Sequence, residues 1–423
     1  MTTNAVYISG FGALTALGSQ LTQHAQLHQQ GISGVSPHPQ LPWRQGLVTE
    51  PNLKQWIPDK KACRMLTRQG LLGIASATLA IEHAGLTAAD FSQDDHQTGV
   101  IFGAFYSQGV CNAAQPYLNC YRDGSLDYHA FGEQHYRDFP PLWILPRLPN
   151  TTGGQISIQY GLRGLSYSVV NGFSGGMIAV GEAYSAIKQG RGYRYVAGAS
   201  EMDPTLEQLF ALDYNGLLAN EQSNNAGLEI GEAGVSFIVE ASNQTLSRTS
   251  NSHQPLIEIL AYHNSYIPNV LSLNPRVRQQ MIQAHLQACL SKAGVSASDL
   301  SAAQLTLAGI KALDQSEVAA ALNTLGERAL LLSATDYCGF TLGASAATNL
   351  FYACLQLSQG YWAPVLNIKD KPQSQQANYN QQGLSHQGEQ ILLCHHQDHQ
   401  GNQVSLLLKS TFHNNTPATG VTP

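Results

Sequence analysis

Charge is scarce in this 423-residue chain. Only 12% of its residues are charged, and 28 acidic against 22 basic side chains leave a formal net charge of −6. A balance of that sign offers no basic surface for phosphates, so nucleic acid is not an expected partner. Long hydrophobic runs are missing too, and none approaches the ~20 apolar residues that a bilayer span requires. The opening Met1-Thr2-Thr3-Asn4-Ala5-Val6-Tyr7-Ile8-Ser9 has neither the basic region nor the apolar core of a signal peptide. The seven cysteines (Cys63, Cys111, Cys120, Cys289, Cys338, Cys354, Cys394) form no C-x-x-C pair, and zinc ligands are not clustered. Buried free thiols in a reducing cytoplasm are therefore expected, with no metal. Gly10-Phe11-Gly12 follows a short strand, but Thr15 stands where a dinucleotide fingerprint needs its third glycine. No cofactor is expected.

What the chain does have is length enough to bury roughly three-quarters of its unfolded surface, and one stretch around which the rest is organised. From Leu165 to Glu201 it reads as a strand (Ser166–Val170), a glycine-rich turn (Gly172, Gly175, Gly176), a helix (Met177–Lys188) and a second strand (Tyr193–Ala197). A residue at such a turn stands over the sheet at the positive end of a helix dipole, a place suited to a nucleophile or an oxyanion. Gly172-Phe173-Ser174-Gly175-Gly176 satisfies G-x-S-x-G, the nucleophile elbow of α/β-hydrolases. Ser174 would be the nucleophile on that reading. His386, His395, His396 and His399, with Asp370 and Asp398, are the available partners, although a polar C-terminal loop would leave these histidines facing solvent.

Elsewhere strands and helices alternate. Cys63–His83 has apolar residues at helical spacing, Gly99–Gly103 reads as a buried strand, and prolines across positions 35–60 mark a surface loop. An aromatic stretch from Phe105 to Trp143 holds Tyr106, Tyr117, Tyr121, Tyr128 and Tyr136 outside any strand pattern. It is either interface or an insertion packed on its own sheet. Polar residues from Ala241 to Gln254 separate a second alternating half, with strands at Leu256–Ala261, Ala303–Ile310, Leu330–Ser333, Gln390–Cys394 and Val404–Lys409. Its helices are expected at Arg276–Lys292, Gln315–Leu325 and Gly343–Ser358.

Four separated segments resemble β-ketoacyl-acyl carrier protein synthases of the thiolase fold. The first is the opening strand and turn, Val6 to Gly18, with Gln30-Gly31-Ile32-Ser33-Gly34 after it. The second, Leu148 to Gly164, has the family's proline–asparagine and glycine–glutamine–isoleucine–serine order. The third is the stretch from Leu165 to Glu201, and the fourth the glycine–glutamate turn and strand at Gly231–Glu240. The resemblance covers roughly residues 5–410. It implies an α/β thiolase fold, a five-layer αβαβα sandwich of two duplicated halves, expected at residues 1–250 and 251–412, with a disordered tail from residue 413.

The resemblance also implies a loss. Condensation needs a thiolate to take the acyl chain and two histidines to hold malonyl and the enolate oxygen. Aligning Gly176, Gly181 and Gly198-Ala199-Ser200-Glu201 puts Phe173 at the family's nucleophilic cysteine. Asp299 and Asp314 align with the acids that flank the first histidine, and Thr306 falls on it. Phe340, before Thr341-Leu342-Gly343-Ala344, occupies the second histidine, and Thr335 the lysine five residues earlier. No histidine occurs from Leu286 to Ser385, so a shift of register cannot restore the pair. His399 stands at the family's phenylalanine gate.

A degenerate copy resembles the chain length factor, the ketosynthase β-subunit of type II polyketide or aryl-polyene-like synthases. The implied partners are a catalytic ketosynthase subunit and an acyl carrier protein, with the edge strand bearing Leu165, Tyr167 and Val169 at the dimer interface. Phe173 would fill the vacated acyl pocket. The segment Ser107–Tyr117 would line the partner's tunnel, open at Gly109, Cys111 and Ala113 and closed further along by Tyr117. A homodimeric degenerate synthase acting as an acyl-carrier binding module remains an alternative, as does the Ser174 hydrolase or acyltransferase.

Overall fold

Five strands and three helices occur twice in the same order along the chain. In the first half they are β1 (Val6–Leu14), α1 (Arg68–His83), β2 (Thr98–Gly103), α2 (Thr151–Tyr160), β3 (Ser166–Val169), α3 (Gly175–Lys188), β4 (Arg194–Glu201) and β5 (Ala233–Ala241). The second half repeats them as β6 (Leu256–Tyr266), α4 (Pro275–Ala293), β7 (Ala302–Leu305), α5 (Lys311–Leu325), β8 (Leu330–Ser333), α6 (Ser345–Gln359), β9 (Gln390–Gln397) and β10 (Asn402–Thr411). The computed structural model describes residues 5–61, 63, 66–93, 96–105, 115–139, 145, 148–219, 226–242, 244–245, 256–326, 328–372 and 377–411. The boundary expected between residues 250 and 251, and the tail from residue 413, lie outside these.

The spatial order repeats as well. It is β3-β2-β4-β5-β1 in the first half and β8-β7-β9-β10-β6 in the second. In each, the first two pairings are parallel and the last two antiparallel. The halves join where β1 pairs antiparallel with β6 through Tyr7↔Glu258 and Ile8↔Ile257, so hydrogen bonds link all ten strands. Helices α1 and α2 cover one outer face, α4 and α5 the other, and α3 and α6 pack against each other between the two halves of the sheet. This is the five-layer thiolase-like fold. Its duplication, invisible residue by residue, shows in the topology.

Burial on both faces explains the composition of the central layers. Every residue of β4 and β5 is buried, and such strands read as continuous runs rather than alternating ones. Helix α3 is apolar nearly all round, as a helix enclosed by other layers must be. Its Gly176 is required by contact: a Cβ there would stand 2.7 Å from Cβ of Ala347 on α6 and 2.8 Å from Cβ of Ala199 on β4.

Several boundaries differ from expectation for identifiable reasons. Helix α1 begins at Arg68 rather than Cys63, because the Thr67 side chain accepts the Gly70 N–H and caps it there. Strand β7 stops at Leu305 instead of Ile310. The next two amides bond to the Glu317 carboxylate rather than to a neighbouring strand, and Leu307 has φ +43°. The proline-rich stretch is not simply surface: Trp43, Val48, Leu53 and Ile57 are buried, and Gln45 and Gly46 pair in parallel with Ile230 and Gly231. All six described cysteines are free and buried. Among the described residues no helix is long and apolar enough to cross a membrane.

Candidate functional site

Strand β3 leads into a short 3-10 turn, Gly172–Ser174, and α3 starts at Gly175. Gly172 has φ +55°, and a Cβ on it would lie 2.2 Å from Oε1 of Gln400, so both conformation and space demand glycine. The turn aims Phe173 inward. Its ring is 2% exposed, with its centroid 4.3 Å from Phe105, 5.3 Å from Phe340 and 4.9 Å from His399. Phe340 in turn stacks on His396 at 6.1 Å. Two of the four positions that sequence alignment marks as vacated are thus joined in one aromatic plug.

The other two meet beside it. The Thr306 carbonyl accepts hydrogen bonds from Thr335 Oγ1 at 2.5 Å and from Ser333 Oγ at 3.2 Å. Thr306 Oγ1 accepts the Gln397 N–H at 2.9 Å. Thr306 and Phe340 line a void of only about 10 Å³, which is room for at most one water and none for an acyl chain. Outside it lies a cleft of about 680 Å³, whose wall includes Thr335, Ala308 and Asp314. The cleft reaches the centre, and the centre is filled.

Electrostatics around the plug favour neutral groups. Burial lowers His395 and His396 to about 3, so both imidazoles are uncharged at neutral pH. Burial raises Glu317 to about 8, against hydrogen bonds from the Thr306 and Leu307 amides at 2.9 and 3.1 Å. These histidines were expected in a surface loop. Instead β9 extends through Gln397, His395 Nδ1 bonds Ser405 Oγ at 2.9 Å, and His396 is 1% exposed against Phe340.

Ser174 is wholly buried, and its Oγ donates to Asp398 Oδ2 at 3.1 Å. Among the described residues no histidine bonds to Ser174. The imidazole that must take a serine's proton is therefore missing from its hydrogen bonds. Asp398 also accepts the Phe173 N–H at 3.2 Å. The sequence offers Asp398 only as a possible acid behind a Ser174 nucleophile, and it offers no part for Glu317 or Phe105.

Of the expected interface residues, Tyr167 and Val169 lie on β3, one terminal strand of the sheet, and Leu165 directly precedes it. Leu165 is 37% and Val170 55% exposed, Val169 is buried, and the Tyr167 hydroxyl donates to Glu182 at 3.4 Å. Of the expected tunnel residues, Gly109, Cys111 and Ala113 lie outside the described residues. Tyr117 stacks on Phe131 at 5.1 Å within the aromatic insertion, while Tyr121 and Tyr128 are exposed.

The chain resembles known proteins over almost its whole length. Beta-ketoacyl synthase, N-terminal domain, matches residues 3–243, and Beta-ketoacyl synthase, C-terminal domain, matches residues 268–369. A putative mitochondrial 3-oxoacyl-[acyl-carrier-protein] synthase from Schizosaccharomyces pombe is 25% identical over 407 residues, covering 88% of this chain and 91% of that protein. Among solved structures, a β-ketoacyl synthase from Burkholderia phymatum superposes with a TM-score of 0.80 at 20% identity, over 96% of this chain and 99% of that one. The ishigamide ketosynthase/chain length factor superposes with the same TM-score at 18% identity and the same coverage. The chain belongs to the β-ketoacyl synthase family.

Proposed function

We propose that this chain is a non-catalytic member of its family, a chain length factor that pairs with an active ketosynthase subunit and shapes its acyl tunnel during elongation on acyl carrier protein. The observation that carries the reading is the aromatic plug. Phe173 stands where the thiolate would be, packed on Phe340 where an enolate-stabilising histidine would be. A phenyl ring cannot attack a thioester, and a void of about 10 Å³ cannot admit the acyl chain.

Loss of the chemistry would leave the pairing edge available. Strand β3 ends the sheet, with the exposed Leu165 and Val170 flanking it, and an uncovered strand edge invites pairing with another strand. Antiparallel pairing with its counterpart in the ketosynthase would cover it, in an interface generally exceeding ~2,000 Å². Likeness to the ishigamide ketosynthase/chain length factor in fold is consistent with this role. The Ser174 hydrolase has less support, since its hydroxyl is sealed in and bonded directly to a carboxylate.

The test is intact-protein mass spectrometry after incubating the isolated chain with an acyl thioester. No covalent adduct is expected. An acyl group on Ser174 would replace this reading with the hydrolase, and one on Cys338 would show that the nucleophile had been misplaced.

A further inference from the structure

The carboxylate of Asp398 divides its two oxygens between two parts of the fold. Oδ1 accepts the amides of Gln400 and Asn402, each at 3.0 Å, and so closes the turn between β9 and β10. Oδ2 accepts the Phe173 amide at 3.2 Å and the Ser174 hydroxyl at 3.1 Å, at the start of α3. The Asn402 side-chain amide bonds both oxygens, at 3.3 and 3.1 Å. Burial raises the Asp398 pKa from the ordinary carboxylate value, and the hydrogen bonds from Asn402, Ser174 and Gln400 oppose that rise. Every one of its partners is a donor, the environment of an ionised carboxylate. Asp398 is 2% exposed, so this anion is shut away from water.

The place it occupies is the one a helix keeps for anions. Helix α3 has 14 residues, starts at Gly175 with no side-chain cap at Ser174, and points its positive dipole end at the elbow. The amide that Asp398 accepts is that of Phe173, two residues before the helix. In an acyl-transfer centre, such an amide would hold the developing oxyanion. We propose that Asp398 is a resident anion, which fills the oxyanion position in cis and clasps the β9–β10 turn over the closed centre. The inactivation is then double. The nucleophile is absent, and the charge-stabilising site is taken by a tethered carboxylate that no substrate oxygen can displace. The close seating of the turn on the elbow fits this role, since Gly172 leaves no room for a Cβ between them.

The double inactivation rests on the non-catalytic reading of Phe173, whereas the seating of Asp398 at the elbow depends on local geometry alone, so the two fail separately. Thermal midpoints of the full chain are measured for the wild type, Asp398→Ala and Asp398→Asn, in sodium formate and in sodium chloride at equal ionic strength. Asp398→Ala should be destabilised and should regain part of its midpoint in formate, with a dose dependence that chloride does not reproduce. The wild type should show no preference between the salts. Asp398→Asn should also melt lower than the wild type and should not respond to formate, because its amide still fills the place while presenting a donor to donors. Equal midpoints for Asp398→Ala in the two salts would overturn the proposal. Should Asp398→Ala fail to fold, Asp398→Asn decides alone: a wild-type midpoint would show that charge at this position is immaterial.

Discussion

Replacing Phe173 with alanine removes the centre of the plug, and the structure sets the size of the effect. Burying and then deleting a core phenyl ring costs about 3–5 kcal/mol, depending on how far the surroundings collapse. Little collapse is available here. The elbow is tied to Asp398, Gly172 leaves no room against Gln400, and Gly176 already holds α3 at contact distance from α6. The ring contacts with Phe105 and Phe340 vanish as well, and each such aromatic pair is worth about 0.5–1.5 kcal/mol beyond its buried area. The loss should therefore fall in the upper part of the range, about 4–5 kcal/mol. Ser174→Ala, which removes one hydrogen bond to a carboxylate, should cost about 1.5–3 kcal/mol. Urea unfolding at constant m-value reads both. A loss below about 1 kcal/mol for Phe173→Ala would mean that the ring does not pack as a plug, and the account of a sealed centre would fail with it.

Acid should destabilise the protein through histidines buried as neutral bases. His24 is held near 4, and His28, His395 and His396 near 3, against 6.5 when free. Their contribution is complete above pH 6.5 and is lost as pH falls toward those values, at about 1.4 kcal/mol per pH unit for each. Glu317 at about 8 and Asp314 at about 6 act in the opposite sense, gaining stability as pH falls through those values. Four histidines outweigh two carboxylates, so urea midpoints should peak near pH 6.5; a plateau continuing to pH 4.5 would contradict the burial of these rings. Leu165→Lys combined with Val170→Lys should dissociate the partner without changing the circular dichroism spectrum, and an unchanged sedimentation coefficient would remove β3 from the interface. Gly109→Phe or Ala113→Phe should shorten the product made with the partner while the pair stays associated. Overpacking alone would cost about 1–3 kcal/mol and reduce yield at unchanged length.

The features legible in the sequence were those with local causes. The strand, glycine turn and helix around Phe173 follow from β-rich residues, close-packing glycines and small side chains, and β8 has the bounds expected of it, Leu330–Ser333. The positions that the resemblance marks as vacated were legible only through it. Their physical meaning needed the fold, because Phe173, Thr306 and the Thr335–Phe340 stretch converge from three separate segments. Histidines misled, since imidazoles at His395 and His396 look polar but sit neutral in a buried strand, one bonded to Ser405 and the other stacked on Phe340. Asp398 was read as a possible partner for a serine nucleophile. Its five-donor setting depends on a turn more than 200 residues distant along the chain from Phe173, and no local pattern announces that.

The central claim, that this chain acts through a partner and does no chemistry itself, is tested most directly by purifying the native protein untagged. The complex is then exposed to an acyl thioester, and native and peptide mass spectrometry are applied. The account predicts a one-to-one complex with a second β-ketoacyl synthase that carries a cysteine at the elbow, with every acyl adduct on that partner. A stable monomer at micromolar concentration, or an acyl group on any residue of this chain, would contradict it.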